Sequence, residues 1–315
     1  MLAVRFEEQR VVLQDVARPT GDGVRVKVRA CGICGSDVTI LDSGFPIAGI
    51  PGHEIAGELD DGTPVAIEPL AACGACAYCE AGDTQVCVAG NAMIVGIGRD
   101  GGMAEELLVP ERCLVPLPRG LDATTGFLVE PLAVAVHGVR RSGIEGGERV
   151  LVVGGGTIGL CAAVAARGAG APVDLIARHP AQVAAAKQVG ANVIEAASGG
   201  DYDVVLDCAG TPGAILTACD ALKPKGTLGM LASSWDTFEF PGLVVAAKEL
   251  DIVISAMYGR AGTLRDVDVA ARLLGEDEAI ADALVSDRFP LDRAADAFER
   301  TRDRKGGAIK VVLEP

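Results

Sequence analysis

The chain has 315 residues, half of them hydrophobic and only 3% aromatic, and carries a net charge of −15 at pH 7. That length and apolar content suffice for two cores, while the acidic balance argues against a nucleic-acid partner, because neutralising phosphates needs Lys and Arg surfaces. No apolar run approaches the roughly 20 residues of a membrane helix and residues 1–10 lack the apolar centre of a secretory signal, so the expectation is a cytoplasmic protein, away from membranes, whose ten cysteines stay reduced.

From residue 1 to about 115, short β-branched runs at 11–13, 24–28, 65–68 and 106–109 alternate with Gly, Pro and Asp. They read as strands of a small irregular β-barrel with functional loops. Two motifs lie among them, Cys31-Gly32-Ile33-Cys34-Gly35-Ser36-Asp37 and Pro51-Gly52-His53-Glu54. Cys34 and His53 are a thiolate and an imidazole, a pair that zinc prefers. Ser36 supplies a hydroxyl able to pass a proton, and Asp37 a carboxylate able to orient a ligating imidazole. Glu130, in Val129-Glu130-Pro131-Leu132, is a third candidate ligand.

Cys73, Cys76, Cys79 and Cys87 fall within fifteen residues that also hold Gly74, Gly82 and Asp83. Such spacing lets four thiolates close tetrahedrally around one structural zinc and leaves no open position for chemistry. An iron–sulfur cluster is the alternative that spacing alone leaves open.

Beyond residue 131 the pattern changes. A helix at 132–141 precedes a strand at 149–153, a helix at 157–167, a strand at 173–176 and a helix at 181–189, with further strands at 192–194, 204–207, 227–231 and 252–255. Strand–helix alternation implies right-handed crossovers and a parallel sheet, and six strands fit a doubly wound dinucleotide fold. Helices at 264–274 and 291–302 and a strand at 308–313 close the sequence and are expected to return to the first domain. The domains are therefore read as 1–130, 131–258 and 259–315.

The first strand of this series runs into Gly154-Gly155-Gly156-Thr157-Ile158-Gly159 at a helix start. This is a G-x-G-x-x-G turn: Gly154 makes the tight turn, Gly156 lets the backbone approach a pyrophosphate, and Gly159 permits close helix–strand packing. The N–H groups of Thr157 and Ile158 open the helix that faces the phosphates. The second strand ends Asp174-Leu175-Ile176-Ala177-Arg178-His179. Asp174 falls too early to reach a ribose, and the expected ribose-facing position, Ala177, holds no carboxylate. Arg178 beside it would welcome a 2′-phosphate, so NADP is favoured over NAD. By place alone, after the later strands, Cys208 and Leu231 are candidates for the nicotinamide end.

Together these motifs resemble the zinc-dependent medium-chain alcohol dehydrogenase family, especially its polyol, sugar and threonine dehydrogenase branch. The resemblance rests on residues 31–37, Gly52-His53-Glu54, the four cysteines, Glu130-Pro131-Leu132 with Ala135-Val136-His137, and the glycine loop. It implies a GroES-like β-barrel catalytic domain with an inserted Rossmann domain, one catalytic and one structural zinc, and a homo-dimer or homo-tetramer. It also implies that Cys34 and His53 ligate the catalytic zinc, with Glu54 as ligand or as an alternate to water. Glu130 stands where alcohol-oxidising relatives place a cysteine and polyol-oxidising relatives a glutamate. Asp37 would hold His53 and Ser36 relay the substrate proton, while Cys31 and His137 pack. Thr39 stands where many relatives carry a histidine, and the stretch 58–63 is shorter than their barrel loop. The implied reaction is hydride transfer between a secondary alcohol, polyol or sugar and NAD(P). A primary-alcohol or aldehyde reductase and a non-catalytic nucleotide binder are the alternatives.

Overall fold

The computed structural model describes residues 1–197, 199–235 and 237–315. The chain divides into two compact units: Met1–Glu130 with Gly259–Ala281 and Val285–Pro315, and Pro131–Tyr258 with Asp282–Leu284. The second unit is thus inserted in the first, and also takes in residues 282–284 from the returning segment.

The first unit is built on a seven-stranded mixed sheet. Val285–Pro290 pairs in parallel with Lys310–Glu314, followed in antiparallel order by Val24–Gly32, Glu54–Glu58, Pro64–Ile67 and Leu114–Pro116, while Glu106–Val109 also pairs with Val24–Gly32. Alternation along Val24–Gly32 sends Val26 and Val28 into a core with Ile55, Ile67, Leu107 and Leu313. Phe6, on the outlying hairpin strand Leu2–Glu7, meets Phe298 of the helix Ala294–Arg302 edge to face, with 5.4 Å between centroids. The helix read at 264–274 is shorter at its start. Leu264–Arg265 instead pairs with Arg260–Ala261, and the helix runs Asp266–Glu276.

The second unit is a six-stranded parallel sheet in the order Asn192–Ile194, Val173–Ile176, Val150–Val153, Tyr202–Asp207, Leu222–Met230, Asp251–Ile254. In sequence order that is 3-2-1-4-5-6, the doubly wound arrangement. Val150–Val153 is wholly buried, as a central parallel strand covered on both faces must be. No helix of the described residues is long and apolar enough to cross a membrane.

Candidate active site

Cys34 stands at the N-cap of the helix Gly35–Ser43. Its backbone N–H donates to Asp37 Oδ2 at 2.9 Å, a side-chain bond that fixes the turn locally. The same carboxylate presents Oδ1 3.4 Å from His53 Nδ1, while Ser36 Oγ lies 3.4 Å from His53 Nε2. Asp37 therefore faces one ring nitrogen and leaves the other directed away from it. Gly52, at φ +96°, turns the chain just before His53; a Cβ there would lie 2.6 Å from Cys31 Sγ, so Cys31 packs beneath this turn.

Cys34, His53 and Glu54 each bring a ligating atom within 4.8 Å of the others. His53 Nδ1 and Glu54 Oε2 are buried and make no hydrogen bond, and nor does Asp37 Oδ1. Sulfur, imidazole nitrogen and carboxylate oxygen form a set that zinc accepts, and a cation in their midst would satisfy Glu54 Oε2. The residues fit the ion. Glu130 opens the helix Val129–Arg141 and is buried, but lies outside this converging set. Burial pushes its carboxyl up to about 7, against the pull of His53 and with the push of Glu54. Burial works against a charged His53 ring, yet Asp37 and Cys34 outweigh it and hold its pKa well above the ordinary histidine value.

One buried contact joins this site to the far end of the chain. Lys310, on the last strand, is 3% exposed and donates to Glu54 Oε1 at 2.6 Å. The available signal was a lone lysine amid the apolar run Ala308-Ile309-Lys310-Val311-Val312-Leu313. His137 is buried, with Nδ1 2.9 Å from an Arg140 nitrogen. Thr39 turns its hydroxyl back to the Gly35 carbonyl.

Cys73, Cys76, Cys79 and Cys87 converge as a second donor group. A tetrahedron with zinc–sulfur bonds of ~2.3 Å has edges of about 3.8 Å. The Cys76–Cys79 and Cys73–Cys79 sulfur separations are 3.5 and 3.9 Å. Backbone N–H groups of Cys73 and Ala89 donate to Cys87 Sγ and pull that thiol below its usual range.

In the second unit Gly154 adopts φ +113°, open to glycine but strained for other residues. A Cβ on Gly159 would collide with the Gly154 carbonyl oxygen, whereas one on Gly156 would meet nothing within 4 Å. The third glycine thus serves packing, and the second leaves the approach clear. Thr157 and Ile158 open the helix Thr157–Gly168. Ala177 lies against the loop, its Cβ 2.7 Å from the position a Gly155 Cβ would take. Asp174 is engaged elsewhere, accepting from Tyr202 Oη and Asn192 Nδ2, both at 2.6 Å. Arg178 is exposed, and His179 caps the helix Pro180–Gln188. Cys208 lies beside Gly154 and Gly159, whereas Leu231 packs its side chain over Gly138.

Residues 20–119 match the family model for the alcohol dehydrogenase GroES-like domain, and residues 157–274 that for zinc-binding dehydrogenase. The chain belongs to the zinc-dependent, NAD(P)-linked medium-chain alcohol dehydrogenase family. It is 30% identical to L-galactonate-5-dehydrogenase of Escherichia coli K12, with 95% of this chain and 94% of that one covered. It is likewise 30% identical to sorbitol dehydrogenase of Halalkalibacterium halodurans, over 93% and 91%. Among solved structures, a zinc-binding dehydrogenase of Sinorhizobium meliloti 1021 bound to NADP superposes with a TM-score of 0.82 at 31% identity, covering 100% of this chain and 99% of that one.

Proposed function

We propose that the protein interconverts a secondary hydroxyl of a polyol or sugar acid with the corresponding ketone, using NADP. The observation that carries this reading is the convergence of Cys34, His53 and Glu54 around buried atoms that lack a hydrogen-bond partner, in a chain whose other unit bears the glycine loop. Cys34 and His53, with Glu54, would hold zinc; Glu130 would serve as a further ligand or hold the water beside it. A bound zinc ion supplies a Lewis acid that acidifies a hydroxyl brought to it. Asp37, with Oδ1 3.4 Å from His53 Nδ1, would orient the ring by its charge. Ser36, whose Oγ lies next to His53 Nε2, would relay the substrate proton, taking it on Oγ as its own hydroxyl proton passes to solvent water. The four-cysteine lobe would hold the structural zinc.

The polyol class is supported by the sorbitol and L-galactonate dehydrogenase relatives and by a glutamate rather than a cysteine at position 130. NADP is supported by the exposed Arg178, the absence of a carboxylate at Ala177 and the engagement of Asp174 with Tyr202 and Asn192. Cys73, Cys76, Cys79 and Cys87, converging as thiol donors, fit a reducing compartment, the cytoplasm. Self-association through the sheet edge Asp251–Ile254 is proposed from its exposed Ile252 and Ile254.

The test is turnover of the zinc-loaded enzyme on polyols, aldonic acids and primary alcohols under either cofactor. We expect kcat/KM about tenfold or more higher with NADP than with NAD, a gap narrowed by Arg178→Ala, and secondary hydroxyls preferred over primary ones. A preference for NAD sinks the Arg178 assignment. Exclusive turnover of primary alcohols sinks the polyol reading.

A further inference from the structure

Lys310 sits between the two segments that bring the metal donors together. Its Nζ donates to Glu54 Oε1 at 2.6 Å and to the Ile33 carbonyl at 3.0 Å. Ile33 immediately precedes Cys34 and Glu54 immediately follows His53, so one ammonium ties both. Lys310 and Glu54 side chains are 3% and 1% exposed. A buried ammonium is tolerated only while its carboxylate partner stays in place, so Glu54 cannot turn fully toward a metal without stranding the lysine charge. The oxygen left over, Oε2, is buried and makes no hydrogen bond.

The geometry points to Lys310 as a positioning residue that tethers Glu54 by Oε1 and restricts it to a one-oxygen, exchangeable approach to the metal through Oε2, so that a coordination position stays available to substrate. The inference rests on the zinc reading of Cys34, His53 and Glu54 above. It goes further by assigning control of the third ligand to a residue from the far end of the chain.

The experiment replaces zinc with cobalt and reads the visible spectrum and the metal affinity against a competing chelator, alongside steady-state kinetics. In Lys310→Met the released Glu54 is free to chelate with both oxygens. The cobalt band should weaken and shift as coordination rises, the metal should bind about tenfold tighter, and kcat should fall about tenfold or more. Lys310→Arg, which keeps the charge, should restore the wild-type spectrum. Should Lys310→Met not fold, Lys310→Gln carries the test: its amide can still donate to Glu54 Oε1 but brings no charge to hold it, so spectrum and affinity should move in the same direction. Wild-type uptake of a single cobalt, confined to the four cysteines, overturns the zinc reading itself. Uptake of two, with spectrum and affinity unchanged in folded Lys310→Met or Lys310→Gln, overturns only the tether.

Discussion

At the scale of single residues, the carboxyl of Glu130 is the group whose environment departs most usefully from water. Burial pushes it up from an ordinary value of 4.5 to about 7 in the metal-free protein. The sign follows from linkage: between about 4.5 and about 7 the folded form keeps a proton that the unfolded chain has released, so stability falls as pH rises across that window. Glu130→Gln removes this titration. Melting curves of metal-free wild type and variant should lie close together at pH 5 and separate by pH 8, the wild type losing several degrees relative to the variant; parallel curves contradict the account. Lys310 shows the limit of reading residues from sequence. Its partner Glu54 is 256 positions away; the apolar run around Lys310 hints that the lysine is buried, but nothing in it names the partner. Asp37, by contrast, was legible, because its partners Cys34 and His53 lie in motifs whose order and spacing are themselves informative.

At the scale of elements, the four-cysteine lobe is the part whose order a bound metal would support most. Its helix Ala77–Ala81 has five residues and none of them is buried, and Tyr78, Val86 and Val88 are exposed. Such a segment gains little from apolar burial, so on the proposed zinc reading metal ligation would supply much of its folding energy. Cys79→Ser is expected to remove one of two zinc ions per chain, to expose residues 73–90 to proteolysis and to lower the melting temperature by about 5–10 °C. Metal analysis with limited proteolysis checks this; retention of both ions contradicts it. The lobe and the glycine loop were readable because each is a short-range constraint: a thiolate tetrahedron demands cysteines at close spacing, and a crowded turn demands glycines. The strands Leu2–Glu7 and Glu54–Glu58 were not. Arg5 interrupts the first, and the second, Glu-Ile-Ala-Gly-Glu, becomes a strand through its neighbours Val24–Gly32 and Pro64–Ile67 rather than through its own propensity.

At the scale of the whole molecule, the parallel sheet ends in the strand Asp251–Ile254, whose outer edge has no strand partner among the described residues. Ile252 and Ile254 are 36% and 52% exposed there, and Leu243 on the helix Gly242–Lys248 is 86% exposed. In a chain with a charge of −15, whose copies repel one another, an apolar sheet edge suits a specific two-fold contact. Sedimentation should give a mass of at least two chains for the wild type, and Ile254→Asp should shift it toward one without unfolding either unit. An unchanged mass would place the contact elsewhere.

The position of Lys310–Glu314 in the first sheet, between Val285–Pro290 and Val24–Gly32, has a consequence for biosynthesis. A growing chain can close the parallel sheet of the inserted unit as soon as Asp251–Ile254 has emerged, because all six strands are then present. The barrel sheet must wait with a gap near one edge, between Val285–Pro290 and Val24–Gly32, with Glu54 still without its lysine. Domains fold as units during synthesis, so the inserted unit is expected to mature first and the Lys310–Glu54 pair last, and a chain cut short before Lys310 should carry a formed parallel sheet with Glu54 lacking its ion-pair partner.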